Sequence, residues 1–179
     1  GMIGRADGVV HDYHPHYGRI MGEDPRFAFE GCPVKIIEPR FDTPKETLRC
    51  VWAGSPRMDR GMDILVEALG EFSGLVSVDV FGDVDQEVLD FVSEYNVKEY
   101  LTFHGWTPHE KVCEYVSDAH IGFCILPNRP DWRFSTPLKV REYMAGGTIP
   151  VVSDFPGMRL MAESAAVYTE PTPDEVAAT

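Results

Sequence analysis

Two short stretches hold residue types suited to an anionic, hydroxylated ligand. In "GSPRMDRG", residues 54–61, Arg57 and Arg60 lie in a turn between an apolar run ending at Ala53 and an amphipathic stretch opening near Met62. Guanidinium forks beside the N–H groups of a helix start suit a diphosphate, and two solvated loop arginines are the plainer reading. The turn matches neither G-x-G-x-x-G nor G-x-x-x-x-G-K-[ST], so the dinucleotide fingerprint and the P-loop are both excluded. In "TPLKVREYMAGGTIPVVSD", residues 136–154, Glu142 stands about a turn and a half inside a helix. A carboxylate there either accepts two hydroxyl hydrogen bonds, as a ribose diol offers, or is solvated surface with Lys139 or Arg141 beside it.

Other groupings weigh less. "NRPDWRF", residues 128–134, follows a strand, so Arg129 and Arg133 either add positive charge beside a phosphate or decorate the surface. Asp83 and Asp85 follow another strand, where helix capping is the expected role. His11, His14 and His16 could chelate a transition metal, but no carboxylate or cysteine spacing completes a site.

These residues need a scaffold, and the chain from Leu48 onward supplies a regular one. "LRCVWAG", "VSVDVFG", "YLTFHG", "HIGFCIL", "TIPVVSD" and "AAVYTE" read as strands. Between them "MDILVEALGEF", "QEVLDFVSEY", "HEKVCEYVSDA", "PLKVREYMA" and "GMRLMAES" have helical apolar spacing; Ile64, Leu65, Ala68, Leu69 and Phe72 form one stripe. Such alternation predicts an α/β fold, a doubly wound parallel sheet with helices on both faces. Ligands of that class sit beyond the carboxyl ends of the strands. Pro137 suits the first helical position with Thr136 as N-cap, which would turn the free amides of Ser135 to Lys139 toward the crevice. Gly146 and Gly147 predict a left-handed stop. Residues 1–47, rich in Pro, Gly, His and Tyr, read as irregular, ahead of a domain over 48–179.

Composition narrows the function. The net charge of −13, from 29 acidic and 16 basic residues, disfavours nucleic acid as a partner. Cys32, Cys50, Cys113 and Cys124 lie far apart with no C-x-x-C pair, which predicts reduced, mostly buried thiols. No apolar run approaches the roughly 18 residues of a membrane span, and no leader pattern opens the sequence. The expectation is a cytoplasmic protein with no transmembrane segment.

"TPLKVREYMAGGTIPVVSDFPG" resembles the signature of retaining GT-B glycosyltransferases, notably family four, in which E-A/Y-M-A-x-G-x-P-V-V precedes a Gly-rich turn. "AGSPRMDRGMDILVEAL" is similar to that family's phosphate loop, and "LTFHGW" to its base-binding turn. The resemblance runs from roughly Val34 to Pro171 and implies the C-terminal, nucleotide-sugar-binding Rossmann-like half of a GT-B architecture. It implies that Glu142, as the second glutamate of the E-x7-E motif, binds the donor ribose. Arg60 takes the place of a phosphate-binding lysine. The resemblance further implies that the backbone at Gly105 and Trp106 meets the base edge and that the amides near Ser135 and Thr136 meet the pyrophosphate or sugar, with Lys139 in the same donor-binding set.

Departures are equally specific. Phe134 stands where the first motif glutamate belongs, with Asp131 as a candidate replacement, and the loop arginine falls on Ser55, with Arg57 two places on. The resemblance implies a UDP- or GDP-sugar donor and no metal or other cofactor. It also implies an acceptor-binding domain or partner subunit that 179 residues leave no room for, hence inactivity of this half alone. "VKIIEPRFD" is similar to the interdomain connection, so residues 1–47 are expected to be the tail of that domain and a linker. Two alternatives stay open: a non-catalytic nucleotide-sugar-binding module or subunit, and a sugar-nucleotide epimerase on the same fold.

Overall fold

The computed structural model describes residues 47–71 and 75–179. The expectations for the tail and linker, for His11, His14, His16 and Cys32, and for Phe72 lie outside the described residues.

Six strands form one sheet: β1 Leu48–Ala53, β2 Val76–Phe81, β3 Leu101–Gly105, β4 Ile121–Cys124, β5 Ile149–Ser153 and β6 Val167–Thr169. Their order is β3-β2-β1-β4-β5-β6, and every neighbouring pair is parallel. Parallel strands need crossovers, and helices supply them: α1 Met62–Leu69, α2 Gln86–Glu94, α3 His109–Asp118, α4 Leu138–Gly146 and α5 Pro156–Ala162, with α6 Pro173–Ala178 after the last strand. The doubly wound reading of the sequence is the fold. Chain direction across the sheet reverses between β1 and β4, so the loops after these strands part and open a crevice.

Both faces of β1 are buried, which its near-continuous apolar run requires. Cys50 and Trp52 pack with Leu65 and Leu69 of α1 and Val176 of α6. Val51 and Ala53 pack on the opposite face with Val116 of α3 and Tyr143 of α4. Cys124 and Val152 meet Val140 of α4 and Met158 of α5 in a third cluster. Burial of each such large side chain is worth roughly 1.5–3 kcal/mol. Beyond β4 the ladder is extended by Ser153, whose hydroxyl donates to the Leu126 carbonyl at 2.7 Å and accepts its N–H at 2.8 Å.

Three local expectations are amended. Pro137, not Thr136, is the N-cap of α4: its φ of −62° is helical but its ψ of 131° is extended, and its carbonyl accepts the Val140 N–H at 3.1 Å. The ring fixes only φ, so the helix starts one residue later. Helix α6 has no counterpart among the expected elements; Pro173 at its first turn begins it, and packing on α1 holds it. Asp85 caps α2, accepting the Val88 N–H at 3.1 Å, whereas Asp83 is simply exposed. Gly147, at φ 77°, stops α4 as expected. Among the described residues no helix is long and apolar enough to cross a membrane.

Candidate functional site

Helix α4 is fixed by Tyr143 before it can present anything. The Tyr143 hydroxyl accepts the Ala53 N–H at 2.9 Å and donates to the Phe123 carbonyl at 3.2 Å, bridging the ends of β1 and β4. The ring lies against Gly122, where a Cβ would come within 2.4 Å of it. Burial drives the phenol well above its usual range, so it stays a protonated donor. Lys139 and Glu142, on the same helix, are thereby held over the turn that follows β1.

That turn is shaped by Trp52, whose indole N–H donates to the Gly54 carbonyl at 2.9 Å. The Lys139 ammonium lies over the Trp52 ring, 4.6 Å from its centroid, and a Cβ on Gly54 would be 3.8 Å from Nζ. Desolvation lowers the Lys139 pKa, with Arg60 adding repulsion and Glu142 opposing the shift. The ammonium is thus held between the Trp52 face and the Gly54 turn, three residues along α4 from the Glu142 carboxylate.

Glu142 is only 19 % exposed and is not solvated surface: His109 Nε2–H donates to its Oε1 at 2.7 Å. Helices α3 and α4 pack side by side, bringing these residues together across 33 positions of sequence. Lys139, Glu142, His109, Gly54 and Trp106 all line one open cleft of about 460 Å3. Trp106 presents its indole at the rim, 75 % exposed. Gly105, at φ 67°, turns the chain there, and its carbonyl accepts the Gly82 N–H at 2.9 Å.

The remaining expected residues are placed differently. Ser55, Arg57 and Arg60 do not line this cleft. Arg57 is bent onto Asp59 at 3.0 Å, and this contact raises the arginine pKa and lowers that of the aspartate. Arg60 is exposed, close enough to Lys139 to repel it. Gly61 anchors that loop; at φ 85° it approaches the Ile125 carbonyl, which a Cβ would meet at 1.8 Å. Asp131, the candidate stand-in at the Phe134 site, is taken up by Arg129 at 3.0 Å. Trp132 ties this loop to the first, donating to the Asp59 carbonyl at 3.2 Å.

The expected row of free amides is also shortened. Ser135 N–H closes a turn onto the Trp132 carbonyl at 3.0 Å, and Pro137 has no N–H. The first-turn N–H groups of Leu138 and Lys139 are those without an intrahelical acceptor. Thr136 is buried.

Three contributors escape sequence reasoning: His109, Tyr143 and Trp52. No spacing links His109 to Glu142, and Trp52 and Tyr143 read as core. Cys50 and Cys124 are buried, their thiol pKa values raised by desolvation, in the first case to about 12, which makes both inert packing groups. Among the described residues no three His, Cys, Asp or Glu side chains converge as metal ligands.

Residues 47–179 match the sequence profile of the family described as Glycosyl transferases group 1. No curated protein matches the sequence. Among solved structures, sucrose-phosphate synthase from Thermosynechococcus elongatus superposes with a TM-score of 0.79 at 20 % identity, over 97 % of this chain and 48 % of that one. The Anabaena protein HepE, solved in complex with UDP and glucose, gives 0.75 at 13 % identity, over 97 % and 52 %. The C-terminal domain of LpcC, a glycosyl transferase group 1 family protein from Francisella tularensis, gives 0.63 at 14 % identity, over 83 % and 85 %. At these identities the likeness is one of fold. The chain spans about half the length of the first two structures.

Proposed function

The chain belongs to the Glycosyl transferases group 1 family, and from that premise we propose that it is the donor-binding domain of a retaining glycosyltransferase, taking a UDP- or GDP-sugar. The observation that carries this reading is the pairing of Lys139 and Glu142 on one wall of the cleft. A nucleoside diphosphate offers two chemistries, a charged diphosphate and a neutral diol, and the wall offers a cation and a carboxylate one helical turn apart. Lys139, with the N–H groups of Leu138 and Lys139, receives phosphate oxygens. Glu142 accepts a ribose hydroxyl. Trp106 and the Gly105 backbone border the base.

The chemistry follows from charge. Breaking the bond between the anomeric carbon and the diphosphate leaves negative charge on the departing oxygens, and preset donors stabilise it in place of water. Lys139 is the cation that lines the cleft among the described residues, and Arg60 is an outer one that adds long-range attraction. In this reading the diphosphate charge is met without a metal ion. Sugar transfer requires an acceptor-binding half, in a longer protein or from a partner, and the domain alone binds donor without transferring a hexose. HepE, of like fold, was solved with UDP and glucose, which favours uridine as the first nucleotide to try.

Calorimetric and thermal-shift titration with UDP-, GDP- and ADP-sugars tests the assignment. A true donor at 100 times its Kd stabilises the fold by about 2.7 kcal/mol. No shift with any of the three removes the donor assignment.

A further inference from the structure

We propose that His109 is a positioning residue for Glu142, holding the carboxylate away from Lys139 so that a ligand meets the two charges separately. The inference rests on the donor-site reading and adds to it a residue on a different helix.

Lys139 and Glu142 are three residues apart on α4, a spacing at which opposite charges meet on a helix surface, and they attract one another. Left alone, a glutamate with three rotatable bonds would fold back onto the ammonium, and each group would cancel the other's use to a ligand. His109 opposes this. Its Nε2–H holds Oε1 at 2.7 Å from the α3 side of the cleft, while Lys139 stays over Trp52 on the other. A carboxylate only accepts, so the proton lies on Nε2. The ring is backed by Cys113 one turn along α3, with Sγ 3.7 Å from Nε2 and 3.9 Å from Nδ1. Oε1 is thus committed to the imidazole, and Oε2 remains to accept from a hydroxyl. His109 is 56 % exposed and Glu142 19 %, so the histidine sits on the solvent side of the pair.

A double-mutant cycle on the full chain, read by calorimetry with UDP and GDP, tests this. His109→Ala is expected to weaken the better nucleotide about tenfold, as loss of a charge-assisted hydrogen bond does. His109→Gln, which returns an N–H donor, should recover most of that loss. Added to Glu142→Ala, His109→Ala should cost little more, because its effect passes through the carboxylate. In the unliganded protein the imidazole 15N resonances should report the Nε2–H tautomer and shift on Glu142→Gln. Additive losses with no recovery by glutamine overturn the positioning role while leaving the donor reading in place. A wild-type chain that binds none of the nucleotides overturns both.

Discussion

The Ala53 N–H, at the end of β1, is satisfied by the Tyr143 hydroxyl at 2.9 Å, a buried bond between residues 90 positions apart. It sets the height of α4 over the Gly54 turn, and with it the positions of Lys139 and Glu142. Tyr143→Phe strands a buried backbone donor, for an expected loss of about 1–3 kcal/mol in urea unfolding. Nucleotide affinity should fall as well, since the helix loses its tie to β1. Unchanged stability would mean that the amide finds another acceptor.

Lys139→Met should separate stability from binding. Methionine keeps most of the volume and removes a charge that burial disfavours, so the unliganded domain should gain about 2–4 °C in Tm. Affinity for a nucleoside diphosphate should drop far more than for the nucleoside. The pH dependence has a definite sign: with a folded pKa below the ordinary 10.5, the lysine is destabilising below that folded value. Its penalty fades as pH rises from there toward 10.5. The Tm gap between variant and wild type should therefore narrow on the alkaline side. A widening gap would contradict the desolvation account.

Glu142→Ala is expected to weaken donor binding by about 1.5–3 kcal/mol, the range for hydrogen bonds to a charged group. Glu142→Gln should lose less. A 2′,3′-dideoxy nucleotide, lacking the diol, should bind wild type and Glu142→Ala alike in calorimetry. Equal weakening of normal and dideoxy ligands would place the carboxylate elsewhere than at the ribose.

Arg60→Ala should affect nucleoside diphosphate more than nucleoside, but less than Lys139→Met does, because the guanidinium lies in solvent outside the cleft lining. Its contribution should shrink as salt is raised from 0.01 M to about 0.15 M and the Debye length falls to about 8 Å. A loss independent of salt would make Arg60 a direct contact.

Much of this architecture was legible because apolar runs such as "LRCVWA" and "VSVDVF" alternate with helical stripes, and all six strands fall where those runs do. Helix α6 was not: six residues with one buried valine carry no stripe, and contact with α1 sustains it. The start of α4 moved by a residue because proline fixes φ and leaves ψ free. Glu142 is one of three charged residues in the nine of α4, beside Lys139 and Arg141, and it stands out by its place in the family-like stretch and not by its type. That Lys139 reaches into the cleft depends on the Trp52 ring beneath it, 87 positions away, which only tertiary structure supplies, whereas Arg57 turns back on an aspartate two residues along its own loop. His109 is legible only once α3 lies against α4.

The three tryptophans occupy three different environments: Trp52 is fully buried, Trp132 is half-buried within the loop 128–134, and Trp106 stands in solvent at the cleft rim. Red-edge emission and access to a neutral quencher therefore belong mainly to Trp106. Any molecule that settles against the rim will shield this indole and alter its fluorescence. The protein carries its own optical gauge of occupancy, and a single Trp106→Phe chain supplies the blank.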